Sequence, residues 1–301
     1  MRHAVYGLPP IDLAEVPGDA VQLSPLIPDS ARLEDLAEGS LDAATVLAPP
    51  GTIERRYVLA HTLRALVPGG RMMALAPKDR GGARLAKELA AFECPAADEP
   101  RRHHRICTLV RPPEPAGLAA AIDEGGPRHV DNLALCTQPG IFSWDRLDPG
   151  TALLLANLPA MKGRGADLGC GLGILSRVIL NSPAVTALTL VEVDRRAVEM
   201  AHRNVADPRA TIVWADIRAA GTVPGSLDFV VMNPPFHDGG TEDQALGRTF
   251  IARAAEALRK GGTLWLVANA HLPYETALGA AFRDVAVRVQ AGGYRVYEAR
   301  R

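Results

Sequence analysis

Cysteine is scarce in this chain, and what there is does not cluster. Cys94, Cys107, Cys136 and Cys170 are scattered through 301 residues with no C-x-x-C pair, a pattern of reduced thiols that argues against a disulfide framework or a thiolate zinc site. An excess of either charge is also missing: 33 basic and 34 acidic side chains leave a net charge of −1. The protein as a whole is no polycation, so any contact with nucleic acid must come from a local patch. No apolar run approaches the ~18 residues of a membrane-spanning helix. The first twenty residues carry Pro9, Pro10, Asp12 and Glu15 in place of the apolar stretch of a signal peptide. These absences lead to the expectation of a soluble, cytoplasmic globular protein. What is present, 48% hydrophobic and 22% charged residues, is near the average for globular chains. At roughly 100–200 residues per domain the length fits two domains.

The strongest punctuation is Arg111-Pro112-Pro113-Glu114-Pro115-Ala116-Gly117, where three prolines within four positions fix the backbone and remove hydrogen-bond donors. Read as a linker, it divides the chain into domains at 1–116 and 117–301. The two parts echo each other. Leu41-Asp42-Ala43-Ala44-Thr45-Val46-Leu47-Ala48-Pro49-Pro50 resembles Leu227-Asp228-Phe229-Val230-Val231-Met232-Asn233-Pro234-Pro235, and Pro68-Gly69-Gly70-Arg71-Met72 resembles Lys260-Gly261-Gly262-Thr263-Leu264. Each copy reads as an apolar strand, a Pro-Pro turn, a helix, a Gly-Gly stop and a second strand, which points to an internal duplication. After the linker, strands are predicted at 165–168, 187–193, 211–214, 227–232, 263–268, 285–289 and 294–299. Helices are predicted at 173–180, 195–205 and 244–258. Alternation at this spacing predicts a mostly parallel sheet with helices on both faces, whose ligands sit at the carboxyl ends of the strands.

Four motifs fall at such ends. In Asp167-Leu168-Gly169-Cys170-Gly171-Leu172-Gly173, three alternating glycines let the backbone turn tightly and approach a ligand closely. Ile174 stands where a dinucleotide fingerprint wants another glycine, and Asp167 suits a cationic amino-acid ligand better than a pyrophosphate. Next, Glu192 with Val193 ends the following strand about 20 residues on, where a carboxylate can accept from ribose hydroxyls. Asp194 is the second choice for that role, or else a helix N-cap. Third, Asp216 with Ile217 ends the next strand, where the carboxylate either accepts an adenine amino proton or is an ordinary turn aspartate. Fourth, Asn233-Pro234-Pro235-Phe236 closes a central strand. Its prolines lock the turn so that the Asn233 side-chain oxygen and the Pro234 carbonyl can meet the two N–H groups of a planar exocyclic amine, with Phe236 placed to stack on a base.

Together these residues resemble the class I S-adenosylmethionine-dependent methyltransferases that act on planar amines. Asn233-Pro-Pro-Phe-His-Asp-Gly239, the Gly261–Tyr274 segment, Tyr294-Arg-Val-Tyr297 and Pro139-Gly-Ile-Phe-Ser-Trp-Asp-Arg-Leu-Asp-Pro-Gly-Thr151 are similar to the RsmC-type guanine-N2 methyltransferases of small-subunit ribosomal RNA. The resemblance implies two tandem Rossmann-like domains, the first degenerate and non-catalytic. It also implies S-adenosylmethionine as cofactor, no metal, and ribosomal RNA or the small ribosomal subunit as partner. By that resemblance Asn233, Pro234, Pro235 and Phe236 form the catalytic turn, while Asp167, Gly169, Cys170, Gly171, Gly173, Glu192, Val193, Asp216, Ile217 and Asn233 hold the cofactor. His271 departs from the pattern, standing where an apolar aromatic is expected.

The first copy reads Ala48-Pro49-Pro50-Gly51, without the amide or the aromatic, and agrees with a non-catalytic role. Competing readings are a guanine-N2 enzyme of 23S rRNA, an adenine-N6 or protein glutamine-N5 methyltransferase, and a non-catalytic RNA-binding assembly factor. Arg101-Arg102-His103-His104-Arg105 is the local candidate for phosphate contact, set against a strand edge blunted by charge.

Overall fold

The computed structural model describes residues 2–235, 237–238, 241–242 and 244–301, without the side chains at 237, 238, 241, 242 and 244. The chain forms two compact units: residues up to Pro127 with Gln138–Gly140, and Arg128–Thr137 with Ile141–Arg301.

The first unit contains β1 (His3–Tyr6), β2 (Val21–Gln22), β3 (Leu41–Leu47), α1 (Thr52–Ala65), β4 (Leu66–Pro77), α2 (Ala83–Ala90), β5 (Ala97–Arg101), β6 (His104–Val110) and α3 (Leu118–Gly125). The second contains β7 (Arg128–Val130), β8 (Leu135–Thr137), α4 (Pro149–Leu155), β9 (Gly163–Leu168), α5 (Ile174–Ile179), β10 (Val185–Glu192), α6 (Arg195–Asn204) and β11 (Ala210–Trp214). It continues with β12 (Leu227–Met232), β13 (His237–Asp238), β14 (Thr241–Glu242), α7 (Gln244–Ala257), β15 (Leu258–Asn269), α8 (Tyr274–Ala281), β16 (Asp284–Ala291) and β17 (Tyr294–Arg300). The predicted strands and helices after the linker all form, with ends shifted by a few residues.

Among the described residues the first unit's sheet runs β2-β1-β3-β4-β6-β5 and the second's β11-β10-β9-β12-β15-β17-β16. In both, the strands are parallel up to β4 or β15 and then antiparallel to β6 or β17. The fold is therefore two mostly parallel α/β units of one plan.

The correspondence extends to backbone hydrogen bonds. Gly69 and Gly261 both take positive φ, +81° and +78°, and both lie at a register shift between a strand and its neighbour. Gly69 N–H donates to the Arg111 carbonyl and Arg111 N–H returns to Gly70. Gly261 N–H donates to the Arg301 carbonyl and Arg301 N–H returns to Gly262. A Cβ on Gly70 or Gly262 would lie 2.9 Å from a backbone oxygen, so no side chain fits at either place. The second glycine of each Gly-Gly stop thus lets the strand swing back into the sheet.

Two expectations are corrected. The proline-rich stretch at 111–117 does not separate the units. Arg111 is buried, donating to the Leu63 carbonyl through Nε at 2.8 Å and to the Pro112 and Pro113 carbonyls through a terminal nitrogen. The division at 116 moves accordingly: α3 follows, packs on α1 and belongs to the first unit. Composition marked the prolines but not the arginine that docks them.

The first unit also diverges. Among the described residues β1 leads into turns, not into a helix, before β2. Its densest polar contact is Arg55, fully buried, which pairs with Glu88 through two hydrogen bonds of 2.7 and 2.6 Å. The same guanidinium donates to the carbonyls of Pro49 at 3.0 Å and Pro50 at 2.7 Å. Breaking a buried pair from one side leaves an uncompensated charge. Glu88→Ala is expected to lower the first unit's stability by about 3–5 kcal/mol in denaturant unfolding followed by a probe in that unit. A shift under about 1 kcal/mol would show that the pair is not a keystone of that unit.

Candidate active site

The second sheet reverses direction of winding between β9 and β12, and that crevice is where ligands of such sheets bind. Register fixes what lines it. Leu168 pairs with Val191 on one side and Met232 on the other. The next residue along each chain, Gly169, Glu192 and Asn233, therefore emerges at the same level. Ala215 N–H donates to the Glu192 carbonyl at 2.9 Å, which brings the end of β11 into the same row.

The glycine turn is built as its sequence requires. Gly169, Gly171 and Gly173 all have positive φ. A Cβ on Gly173 would lie 2.6 Å from Val205, whereas one on Gly171 would meet nothing, so Gly171 faces open space. Asn204 secures the turn from α6: its amide donates to the carbonyls of Leu172 (3.0 Å) and Cys136 (2.9 Å) and accepts from Cys136 N–H (2.8 Å). Cys170 is buried, and burial drives its thiol well above the ordinary range.

Asp167 is fully buried at the end of β9. Ser176, on the first turn of α5, donates to its Oδ2 at 2.7 Å, while Oδ1 is buried with no partner. Burial pushes this carboxyl up to about 7, against the pull of Ser176. An unpartnered buried carboxylate oxygen fits an ammonium ligand, the group that an amino-acid moiety would bring. Glu192 accepts from the N–H groups of Gly171 (2.9 Å), Val193 (2.8 Å) and Asp194 (2.9 Å). Burial raises its carboxyl, and those three donors pull against it. Three of about four acceptor sites are thus taken, and Oε2 keeps one for a ligand hydroxyl. Asp194 is the N-cap of α6, accepting from Arg196 N–H at 3.0 Å and pairing with its guanidinium at 2.8 Å.

The other carboxylate is less open. Asp216 accepts from Arg218 N–H at 2.8 Å and pairs with its guanidinium at 2.7 Å. Ile217 lies in the hydrophobic core beside Val191 and Phe250, and its carbonyl accepts from Arg253. The structure thus brings Asp167, Gly169, Gly171, Glu192 and Asn233 to one row, while Asp216 is held by a turn and Ile217 by the core.

Asn233 is held through its amide nitrogen. Its Nδ2 donates to Asp148 Oδ2 and to Thr151 Oγ1, both at 2.9 Å. Both hydrogens of the amide are used, so Oδ1 is directed away from them. Among the described residues neither Oδ1 nor the Pro234 carbonyl accepts a hydrogen bond. Pro235 lies close to Gly169, with its Cδ 3.9 Å from where a Cβ on that glycine would stand, so the two turns adjoin. Phe236, the expected stacking partner, lies outside the described residues. In the first unit the Pro-Pro turn is preceded by Ala48 where the second has Asn233, and Arg55 occupies the carbonyls of Pro49 and Pro50.

Sequence reasoning missed Asp148, Thr151 and Ser176. Asp148-Pro149 is an N-cap followed by proline at the first helical position, a signal that could have placed the start of α4 but not its contact with Asn233, 85 residues away. The basic run forms the tip of the β5–β6 hairpin, where Arg102 pairs with Asp12 and Arg105 with Asp98. Among the described residues no group of three His, Cys, Asp or Glu side chains could hold a metal ion, and no helix is long and apolar enough to cross a membrane.

Comparison with known proteins places this geometry. Residues 132–298 match the family model of the methyltransferase small domain. The ribosomal RNA small subunit methyltransferase C of Pseudomonas aeruginosa (strain UCBPP-PA14) is 34% identical over 312 aligned positions, covering 98% of this chain and 93% of the relative. The protein of the same name from Cronobacter sakazakii is 34% identical, covering 92% and 82%. Among solved structures, the T. thermophilus 16S rRNA N2 G1207 methyltransferase (RsmC), in complex with AdoMet and guanosine, superposes with a TM-score of 0.79 at 24% identity, covering 100% of this chain and 88% of that one.

A cation held by Asp167 requires the ionised carboxylate, which burial makes scarce below neutrality. S-adenosylmethionine affinity measured by calorimetry is expected to weaken by roughly tenfold per unit as pH falls below about 7. Asp167→Asn should flatten that dependence; an unchanged slope would detach Asp167 from the ligand.

Proposed function

The chain belongs to the methyltransferase small domain family and, within it, to the ribosomal RNA small subunit methyltransferase C group, and from that premise we propose how its own residues carry the reaction. The protein transfers a methyl group from S-adenosylmethionine to the exocyclic N2 amine of a guanine in 16S rRNA. When bound, S-adenosylmethionine supplies a sulfonium methyl group, an electrophile that needs little further activation. The protein's task lies on the amine, whose lone pair is delocalised into the base and is poorly nucleophilic.

Asn233 Oδ1 and the Pro234 carbonyl accept the two amine hydrogens, and that pair of acceptors draws the lone pair back onto nitrogen. Pro235 locks the turn that aims them, and Phe236 stacks on the base. Held orientation of this kind can contribute roughly 7–11 kcal/mol at best. On the cofactor side, Asp167 holds the ammonium and Glu192 a ribose hydroxyl. The alternating glycines let the chain approach closely, with Val193 and Asp216 at the rim. The observation that carries this reading is Asn233 itself: both of its N–H groups are committed within the protein, and its oxygen is left to accept.

The first unit is non-catalytic in this reading. It lacks the amide, and its own guanidinium takes the Pro49 carbonyl, the counterpart of Pro234 in the motif, together with that of Pro50. The substrate is ribosomal RNA, alone or within the small subunit, and the protein that modifies it is cytoplasmic in this reading.

Two measurements test the assignment. Asn233→Ala should leave S-adenosylmethionine affinity within about twofold and cut methyl transfer by roughly a hundredfold or more, as when one transition-state hydrogen bond is removed. Mass mapping of methylated guanines in 16S rRNA reads this directly, and wild-type transfer by the variant would make the turn merely structural. Glu192→Ala should weaken cofactor binding by about 1–3 kcal/mol. An unaltered dissociation constant would take Glu192 out of the cofactor site.

A further inference from the structure

The amide of Asn233 has two ends of opposite polarity, and only one of them can accept from an amine. What decides which end faces the pocket is Asp148. An ionised carboxylate has no hydrogen to give, so it tolerates only the NH2 end of the amide at 2.9 Å. The Thr151 hydroxyl takes the second N–H at the same distance. Both partners are themselves immobile: Asp148 and Thr151 are buried, and Thr151 N–H donates to Asp148 Oδ2 at 2.8 Å as the N-cap bond of α4. Pro149 fixes the backbone between them. Gly150 can carry no side chain, since a Cβ there would lie 2.9 Å from the Tyr294 ring and 3.0 Å from Asp148 Oδ2. A helix start that sits closed against β17 thus presents to one amide a carboxylate that can only accept and a hydroxyl that accepts the second N–H.

We propose that Asp148, with Thr151, is the positioning residue that imposes acceptor polarity on Asn233, and so makes the site select a base edge that offers N–H groups over one that offers a carbonyl. The proposal rests on the reading of Asn233 as the amine acceptor. With Asp148 neutral or absent, the amide is free to turn over and present its NH2 to the target amine, donor against donor. The same polarity explains why an aspartate at 233 is unsuited to this turn: it would set carboxylate against carboxylate.

That last point supplies the test, because the clash of carboxylates can be relieved from the other side. Four variants of the full chain are assayed for kcat and KM on RNA and, separately, for S-adenosylmethionine affinity: Thr151→Val, Asp148→Asn, Asn233→Asp and the double variant Asp148→Asn/Asn233→Asp. Asparagine caps a helix about as well as aspartate, and valine is nearly isosteric with threonine, so the fold is retained. Thr151→Val is expected to lower kcat about three- to tenfold and Asn233→Asp about a hundredfold or more, with cofactor affinity within about twofold throughout. The double variant removes one of the two facing carboxylates while the amide oxygen at 148 keeps the cap on Thr151 N–H, and it should recover at least tenfold in kcat over Asn233→Asp. No recovery, or wild-type kcat in both Asp148→Asn and Thr151→Val, would overturn the positioning role. Asn233→Ala separates the two levels. If that variant is inactive while the rescue fails, only the positioning proposal falls; if it is fully active, the reading of Asn233 falls first.

Discussion

Everything at the active edge depends on parallel register. Because Val191, Leu168 and Met232 lie in line across β10, β9 and β12, the next residue of each strand emerges at one level. A carboxylate, a glycine turn and an amide, separated by dozens of residues in the chain, become neighbours without further machinery. Slipping one strand by a single residue would turn its last side chain to the opposite face of the sheet. The cores on the two faces prevent it. Leu168, Val230 and Met232 are buried among α7 residues on one side, and Leu188, Leu190, Phe229 and Val231 are buried on the other.

Much of this was legible in the sequence because strands buried on both faces read as continuous apolar runs, and their ends carry punctuation. Residues 227–232 followed by Asn-Pro-Pro, and 165–168 followed by alternating glycines, needed no knowledge of neighbours to be placed. What was not legible depends on contacts between distant residues. Nothing near Asp148 announces that its carboxylate faces Asn233, and nothing near Ser176 announces Asp167. The stretch at 111–117 misled for the same reason. Prolines predict a stiff, irregular path, but whether that path is docked depends on Arg111 reaching the Leu63 carbonyl.

The two units show one plan under opposite demands. In the second, polar groups at the strand ends are left without partners: Asp167 Oδ1 is orphaned in the interior, and the Pro234 carbonyl has no donor among the described residues. Such groups cost stability and are kept where a ligand will satisfy them. In the first, the corresponding carbonyls are satisfied by Arg55, whose charge is balanced by Glu88. The duplicated fold has thus been closed at one edge and kept open at the other.

The path of the chain between the units has its own consequence. Cys136 is hydrogen-bonded to Asn204 in the second unit, and Gln138 donates to the Gly125 carbonyl in the first, with only the buried Thr137 between them. The backbone crosses from one unit to the other after Pro127, returns at Gln138 and crosses again after Gly140. No single cut therefore separates them. A fragment ending at 127 lacks three residues of its own unit, and one ending at 140 carries away the β7–β8 hairpin of the other. During synthesis the first unit cannot be completed until that hairpin has already left the ribosome, so the two units are entangled in order of birth although each has its own core.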